Sequence, residues 1–191
     1  RSFNIFFDAG SWHGYSLPVA GDAATGFSGP FVHSLGDGQW VGARFAQLAL
    51  RDTTSKQSIS LNPIDSHAAP GYRVRQFSSP GLTVRQTLCV ADSWHALVRI
   101  ELSATTAQDV DLAVAGRVMS PREAKLAKDG DAVTQTFAGS NSKVTTRVHA
   151  DGVSADQVTL SGAGYRVALD QRLRLRRDQA ATVCVEQTLV Y

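Results

Sequence analysis

The sequence predicts an all-β protein, a large antiparallel β-sandwich of the supersandwich type with one short helix near residues 121–128. Three runs alternate apolar and polar residues: Leu82 to Val90, Trp94 to Leu102, and Asp109 to Met119. Such alternation is typical of antiparallel strands that place one face on a core and the other in water. Many short strands with regular turns along the chain indicate a sandwich.

The first part of the chain predicts shorter strands. Phe31 to Leu35 is a short strand that ends at the turn signal Gly36-Asp37-Gly38. Trp40 to Leu50 and Ser58 to Leu61 predict two further strands around a polar loop. Residues 62–71 begin with Asn-Pro and end with Pro-Gly, so we expect this piece to be irregular.

A capping box predicts the helix. Ser120 is a suitable N-cap, Pro121 suits the first helical position, and Glu123 lies three residues after the cap. The helix should end near Asp129-Gly130, because glycine commonly follows the last helical turn.

The β pattern returns from Ala132 to Tyr191, where Arg172, Arg174 and Arg176 alternate with leucines. Three guanidinium groups on one strand face favour a solvated outer face that also blocks edge pairing. The alternative is a contact with an anion or a partner. That contact would require clustering with earlier arginines, namely Arg73, Arg75 and Arg85.

Length and composition predict a single domain over residues 1–191. The chain is 43% hydrophobic and 19% charged, as in soluble globular proteins. A net charge of +2 is too small to imply nucleic acid or an anionic membrane as the main partner, and we expect neither. No apolar run approaches the roughly 20 residues of a membrane span. Because the chain begins at Arg1 rather than Met, we expect a processed or trimmed piece of a longer product.

The sequence predicts neither a metal nor a cofactor. Its five histidines are scattered, with no pair at ligand spacing, and it lacks a Walker loop and a dinucleotide-binding glycine motif. The two cysteines, Cys89 and Cys184, fit two interpretations. They are either two small buried thiols or a single disulfide, which requires their strands to be neighbours in an oxidising compartment.

The stretch from Phe3 to Pro18 interleaves aromatic rings with Asp8, His13 and two glycines. Rings beside a carboxylate and an imidazole suit a surface that faces a sugar or a rigid contact between domains. The simpler interpretation is an edge strand with inward rings. Asp8 is the one carboxylate in a distinctive environment, and glycosidase chemistry needs two, so the residues supply no catalytic pair.

The segment Phe6-Phe-Asp-Ala-Gly-Ser-Trp-His-Gly-Tyr-x-Leu-Pro resembles the start of bacterial glycoside hydrolase family 63 enzymes of the α-glucosidase type. Those enzymes continue into a glycine-rich loop that Gly26-Phe-Ser-Gly29 matches. Similarity beyond this point is weaker but collinear up to the last strand, Thr182 to Tyr191.

The resemblance implies an amino-terminal β-sandwich followed by an (α/α)6 barrel that hydrolyses α-glucosides with inversion. Both catalytic carboxylates of that family lie in the barrel, so we expect none in this chain. Asp8, Trp12, His13 and Tyr15 match or adjoin the motif, and we expect them to pack against the barrel or to line the rim of its sugar pocket. The implied partners are the barrel and an oligosaccharide, and the implied location is a bacterial periplasm.

Two alternatives remain from the residues alone. One is a free-standing carbohydrate-binding module that uses the aromatic cluster. The other is an interaction module whose rings form a protein interface. Cut away from a barrel, the domain is expected to dimerise through exposed rings of the motif, namely Phe6, Phe7, Trp12 and Tyr15.

Overall fold

The computed structural model describes residues 6, 11–18, 25–33, 35, 38–119 and 124–190. Within these ranges the backbone forms sixteen strands and no helix, and therefore no helix able to span a membrane. The strands are β1 His13–Ser16, β2 Ser28–Val32, β3 Gln39–Trp40, β4 Gly42–Asp52, β5 Asn62–Ala69, β6 Tyr72–Ser79, β7 Leu82–Val90, β8 His95–Ala104, β9 Gln108–Val118, β10 Ala124–Asp129, β11 Ala132–Phe137, β12 Lys143–Ala150, β13 Gln157–Ser161, β14 Gly164–Ala168, β15 Leu173–Leu175 and β16 Ala181–Val190.

The strands form a sandwich, which confirms the predicted fold class. One layer is an eight-stranded antiparallel sheet in the order β10-β11-β12-β16-β8-β7-β6-β5. The opposite layer combines a five-stranded sheet, β13-β14-β9-β15 with β4 also paired to β9, and a three-stranded sheet, β1-β2-β3. Strand β4 connects these two sheets, because β3 leads into it and Phe27 pairs with its Phe45.

The larger of two apolar clusters forms the main core between the layers. The eight-stranded sheet contributes Val84, Val98 and Ile100, and the five-stranded sheet contributes Val114 and Val167; all five side chains are fully buried. The predicted alternation in β7, β8 and β9 is therefore confirmed. Each methylene group removed from water contributes about 0.8 kcal/mol, so this interface supplies the main driving force for folding.

Buried glutamines cross this apolar interface. Gln86 of β7 accepts a hydrogen bond from the Gly26 backbone N–H at 2.7 Å and donates one to the Ala46 carbonyl at 2.9 Å. Gln135 of β11 donates to the Val41 carbonyl at 3.1 Å. The bonds of Gln86 satisfy backbone groups of the opposite layer, whereas the Val41 carbonyl also accepts a backbone N–H within its own layer.

The predicted helix near residues 121–128 is wrong. Ala124–Asp129 form β10, which pairs with β11 from Ala124 opposite Phe137 to Asp129 opposite Ala132. Gly130 has a φ of 61° and begins a two-residue hairpin turn, so the signal interpreted as a helix end marks the end of a strand. Pairing with β11 gives this segment a full hydrogen-bond ladder, which outweighs a local capping signal. Residues 120–123, which carry the capping box, lie outside the described residues.

The irregular segment predicted at residues 62–71 is mostly a strand. β5 forms the edge of the eight-stranded sheet and is exposed along nearly its whole length. Because neither face is buried, its residues carry no apolar alternation. Pro63 is tolerated there because an edge strand does not need every N–H for the ladder.

The structure decides between the two interpretations of the cysteines. Cys89 lies on β7 and Cys184 on β16, and β8 separates these strands. Both thiols are free and half-buried. Burial raises the pKa of each thiol, so neither is activated as a nucleophile.

A substitution at Gly42 tests how the five-stranded and three-stranded sheets of the opposite layer meet. A Cβ at Gly42 would overlap the backbone carbonyl of Gly29, whereas a Cβ at Gly164 would lie 3.4 Å from its nearest neighbour, the Ser161 carbonyl oxygen. We expect Gly42→Ala to lower the free energy of unfolding by about 2–3 kcal/mol, because backbone atoms cannot move aside. Gly164→Ala should change it by less than about 1 kcal/mol. Urea unfolding measures both, and equal effects would contradict this account.

Candidate functional site

The His13–Ser16 part of the aromatic motif forms β1, one of the two edge strands of the three-stranded sheet. In β1, His13 pairs with Val32 and Gly14 with Phe31. Phe6 forms an isolated bridge with Tyr15, with backbone N–O distances of 2.6 and 3.0 Å. Alternation along the strand directs His13 and Tyr15 towards the eight-stranded sheet. Asp8 and Phe7, two of the predicted contact residues, lie outside the described residues.

Tyr15 is a core residue. Its side chain is fully buried, and its ring packs 5.3 Å from that of Phe45. The hydroxyl donates a hydrogen bond of 2.7 Å to Gln187 Oε1, and Gln187 Nε2 donates one of 3.0 Å to the Thr146 hydroxyl. Burial raises the pKa of Tyr15 well above its ordinary value. The expectation that Tyr15 provides an exposed ring for dimerisation does not agree with this position.

His13 is also buried, at 1% exposure, with its ring edge-on to Tyr15 at 5.7 Å. Neither ring nitrogen has a hydrogen-bond partner among the described residues. Burial lowers the pKa of His13 to about 4; Asp92 opposes this shift and His95 adds to it. His13 is therefore a neutral core residue at neutral pH. It can contribute to the predicted rim of a sugar pocket only by fixing the position of its neighbours.

Among the predicted site residues that the structure describes, Trp12 is the one whose side chain is exposed. It is 45% exposed and stacks on Trp94, which is 39% exposed, with ring centroids 6.4 Å apart and planes 11° from parallel. We call these two residues the indole pair. The Trp12 backbone is fixed by hydrogen bonds to Ser93 and His33, at 3.2 and 3.0 Å.

Asp92 holds the second indole in place. Its Oδ1 accepts hydrogen bonds from the backbone N–H groups of Trp94 at 2.7 Å and His95 at 2.8 Å. These bonds, led by the one from Trp94, lower the pKa of Asp92. The segment is an Asx-type turn that enters β8 and presents Trp94 before the strand begins.

A line of polar side chains continues from the indole pair across the outer face of the eight-stranded sheet. His95 Nδ1 lies 2.8 Å from Asp92 Oδ2, and His95 Nε2 lies 4.0 Å from Glu186 Oε1. Glu186 Oε2 lies 3.1 Å from His149 Nε2. We call Asp92, His95, Glu186 and His149 the polar strip; it runs over the neighbouring strands β8, β16 and β12.

Sequence reasoning missed most of this surface. Trp94 was assigned to the apolar stripe of a strand, but it precedes β8 and lies partly in solvent. The run Asp92-Ser93-Trp94-His95 contains the signal that could have revealed the turn before β8. An aspartate that accepts hydrogen bonds from backbone N–H groups two and three residues later is typical of a turn. Glu186 and His149 come together only through strand pairing.

Arg172, Arg174 and Arg176, which we call the arginine stripe, are exposed at the surface. Arg172 and Arg174 line a cleft of about 750 Å³ that also contains Asp151 and Asp170, and Arg172 lies 3.4 Å from Asp109. These carboxylates offset much of the positive charge of the cleft. The structure does not bring the earlier arginines to this stripe: Arg73, Arg75 and Arg85 lie on β6 and β7 of the other layer.

Among the residues that the structure describes, no group of three or more histidine, cysteine, aspartate or glutamate side chains could hold a metal ion. The polar strip alternates imidazole and carboxylate groups that already contact one another. Its geometry suits hydrogen bonding to a ligand with hydroxyl groups.

Comparison with known proteins identifies relatives of this domain. A family model described as the N-terminal region of glucosidase YgjK matches residues 1–163. A solved structure titled putative kojibiose phosphorylase from human microbiome superposes with a TM-score of 0.63 and 12% identity, covering 95% of this chain and 29% of that chain. A polysaccharide lyase superposes with a TM-score of 0.59 and 7% identity, covering 88% and 31%.

At these identities the two superpositions show the fold alone. The chain spans about three tenths of the length of each matched structure. In both cases the sandwich is one part of a longer polypeptide.

The buried, neutral His13 predicts a loss of stability in acid. Its pKa is about 4 in the folded chain against 6.5 in the unfolded chain, so the unfolded chain binds more protons between these values. Stability is therefore complete above about pH 6.5 and falls as the pH decreases towards 4, by up to about 3 kcal/mol. We expect His13→Phe to remove this part of the pH dependence, as measured by urea unfolding at pH 7.5 and 4.5.

The same substitution at His67, which is exposed on β5, is the control. At pH 7.5, His13→Phe should change the free energy of unfolding by less than about 1 kcal/mol, because it removes two buried nitrogens that lack partners among the described residues. An acid response identical to that of the parent chain would contradict the assignment of a neutral His13.

Proposed function

The chain belongs to the family of N-terminal domains described for glucosidase YgjK, and we propose that it is the non-catalytic β-sandwich of a larger inverting α-glycosidase of the family 63 type. In this proposal an (α/α)6 barrel elsewhere in the complete polypeptide hydrolyses α-glucosides. The sandwich packs on that barrel and helps to shape its sugar pocket. The match over residues 1–163 to a glucosidase N-terminal domain is the observation that carries the proposal.

The state of the carboxyl groups supports a non-catalytic role. An inverting glycosidase needs a general acid with a raised pKa and a general base on the other side of the sugar. Hydrogen bonds lower the pKa of Asp52 and the pKa of Asp92, the opposite of what a general acid requires. Glu186 is held between two imidazoles on an open sheet surface. None of these groups has the environment of a general acid.

The outer face of the three-stranded sheet supports packing against another domain. Gly14, Phe31 and Trp40 are aligned across its three strands, and the two rings meet edge-to-face at 5.5 Å. The outer face of the eight-stranded sheet instead carries charged residues such as Arg99 and Glu101, which pair at 3.0 Å. Aromatic residues are enriched in interface centres, whereas charged residues are depleted there.

The first test separates the catalytic part from the sandwich. We expect the complete natural polypeptide to hydrolyse α-glucosides and to release the β-anomer first, as inversion requires, and proton NMR during the reaction shows which anomer appears. The 191-residue chain should show no hydrolysis under the same conditions. Hydrolysis by the 191-residue chain would refute the non-catalytic role, and initial release of the α-anomer would refute inversion.

The second test concerns packing through the three-stranded sheet. In the complete polypeptide we expect Trp40→Glu to lower the unfolding temperature of the sandwich and to increase its proteolytic release, because the charge would be buried at the contact. In the 191-residue chain the same change should cost about 1 kcal/mol or less, since Trp40 is only half-buried. Tyr72→Glu on β6, where the side chain is 39% exposed, is the control. Equal behaviour of the two variants would count against this face as the contact.

A further inference from the structure

We infer that the indole pair and the polar strip together bind a neutral gluco-oligosaccharide chain. This inference rests on the proposed function, since it names the ligand for the sugar-facing role of the domain. The inference goes beyond the proposed function because it assigns the contact with the sugar to residues of this chain, chiefly Trp94, His95 and Glu186 together with Trp12. Docking of the barrel is assigned to the three-stranded sheet instead.

The two kinds of group in this surface match the two kinds of group on a sugar ring. A pyranose ring presents C–H groups on its faces and hydroxyl groups around its edge. An indole offers a flat apolar surface whose negative π face attracts C–H groups. Carboxylate oxygens accept hydrogen bonds from hydroxyl groups, and imidazole nitrogens donate or accept them. Asp92 links the indole pair to the polar strip, because its carboxylate accepts a hydrogen bond from the Trp94 backbone N–H and contacts the His95 ring.

The extent of the polar strip suits a chain rather than a single sugar. His95, Glu186 and His149 lie on three adjacent strands of the eight-stranded sheet. Strands are about 4.8 Å apart, so these three residues span about 10 Å, and the indole pair extends the surface further. A ligand that contacts both parts must therefore contain more than one sugar unit.

The charges of the strip favour a neutral ligand. Two carboxylates, Asp92 and Glu186, alternate with two imidazoles. The arginines nearest to it along β8 and β12 are engaged with other carboxylates: Arg99 lies 3.0 Å from Glu101, and Arg147 lies 3.4 Å from Asp131. Glu186 and Asp92 would repel an anionic polysaccharide, and the nearest arginines, which are already paired with carboxylates, would not offset this repulsion.

The surface is already ordered in the chain. Asp92 fixes the backbone at Trp94, and the Leu189 N–H donates to the Trp94 carbonyl at 2.8 Å. Trp12 is held by its own backbone bonds and by stacking on Trp94. A ligand therefore has little protein conformational entropy to remove, which lowers the cost of binding to an otherwise shallow surface.

The experiment measures binding of maltohexaose and isomaltohexaose to the 191-residue chain by titration calorimetry and tryptophan fluorescence. We expect a Kd of about 1 mM for at least one of these hexasaccharides and weaker binding of the corresponding disaccharide. Trp94→Ala should raise the Kd at least tenfold, and Trp94→Phe should retain most of the affinity because it keeps an aromatic face. Glu186→Gln should raise the Kd several-fold by removing the charged acceptor.

Tyr72→Ala is the matched control, since Tyr72 is as exposed as Trp94 but lies on β6. It should leave the Kd within twofold of the parent value. Circular dichroism confirms that each variant is folded. The inference is overturned if the chain binds neither hexasaccharide, or if Trp94→Ala binds like the parent. It is also overturned if Trp94→Ala leaves binding unchanged but destabilises the complete polypeptide, because the indole pair is then a contact between domains.

These outcomes are independent of the catalytic test. A complete polypeptide without glycosidase activity would refute the proposed function while leaving sugar binding by this chain measurable. Loss of sugar binding with intact inverting hydrolysis would refute the further inference alone.

Discussion

The arrangement of this domain depends on hydrogen bonds that cross an otherwise apolar interface. Gln86, Gln135 and Gln187 all project from the eight-stranded sheet into the core, and each bonds to a specific group of the opposite layer or beside it. Apolar contacts alone would allow the layers to slide, because burial is not directional. A buried amide without its partner costs about 1–3 kcal/mol, so each glutamine fixes one relative position of the layers. β4 adapts to this constraint with a bulge, where Ala46 has a φ of 54° and offers its carbonyl to Gln86.

The same constraint positions the surface that we propose for sugar binding. The bond from Tyr15 to Gln187 fixes β1 against β16, and alternation then buries His13 as well. Trp12 precedes the strand at the edge of the sandwich, where the turn before β8 supplies Trp94 as its stacking partner. The described part of the aromatic motif therefore divides into two parts. One part anchors the strand in the core, and the other presents an ordered indole to the outside.

This division gives a physical reason for a sandwich beside a catalytic domain. A glycosidase places its two carboxylates where water and one sugar bond can meet, and it needs further surface to orient the rest of the chain. A rigid sheet that displays rings and hydrogen-bonding groups at fixed spacing can provide such a surface. In the proposed arrangement the three-stranded sheet makes the contact with the barrel, and the indole pair with the polar strip guides the oligosaccharide.

The sequence by itself determined the fold class and the strands that carry an apolar face. β7 has the predicted bounds, and β8 and β9 differ by one or two residues at their ends, because alternation records burial on one side directly. It did not reveal β5, whose two faces are both exposed, or β10, whose capping signal is local while its pairing with β11 is not. Of the site, the sequence identified Trp12 and its motif, and a resemblance carried by thirteen positions indicated the family. Only the tertiary structure decided that Tyr15 and His13 are buried, and only strand pairing brought Glu186 to His95 and His149. Local pattern reports which side of a strand is apolar, but contacts between residues distant in the chain depend on the order in which the strands pair.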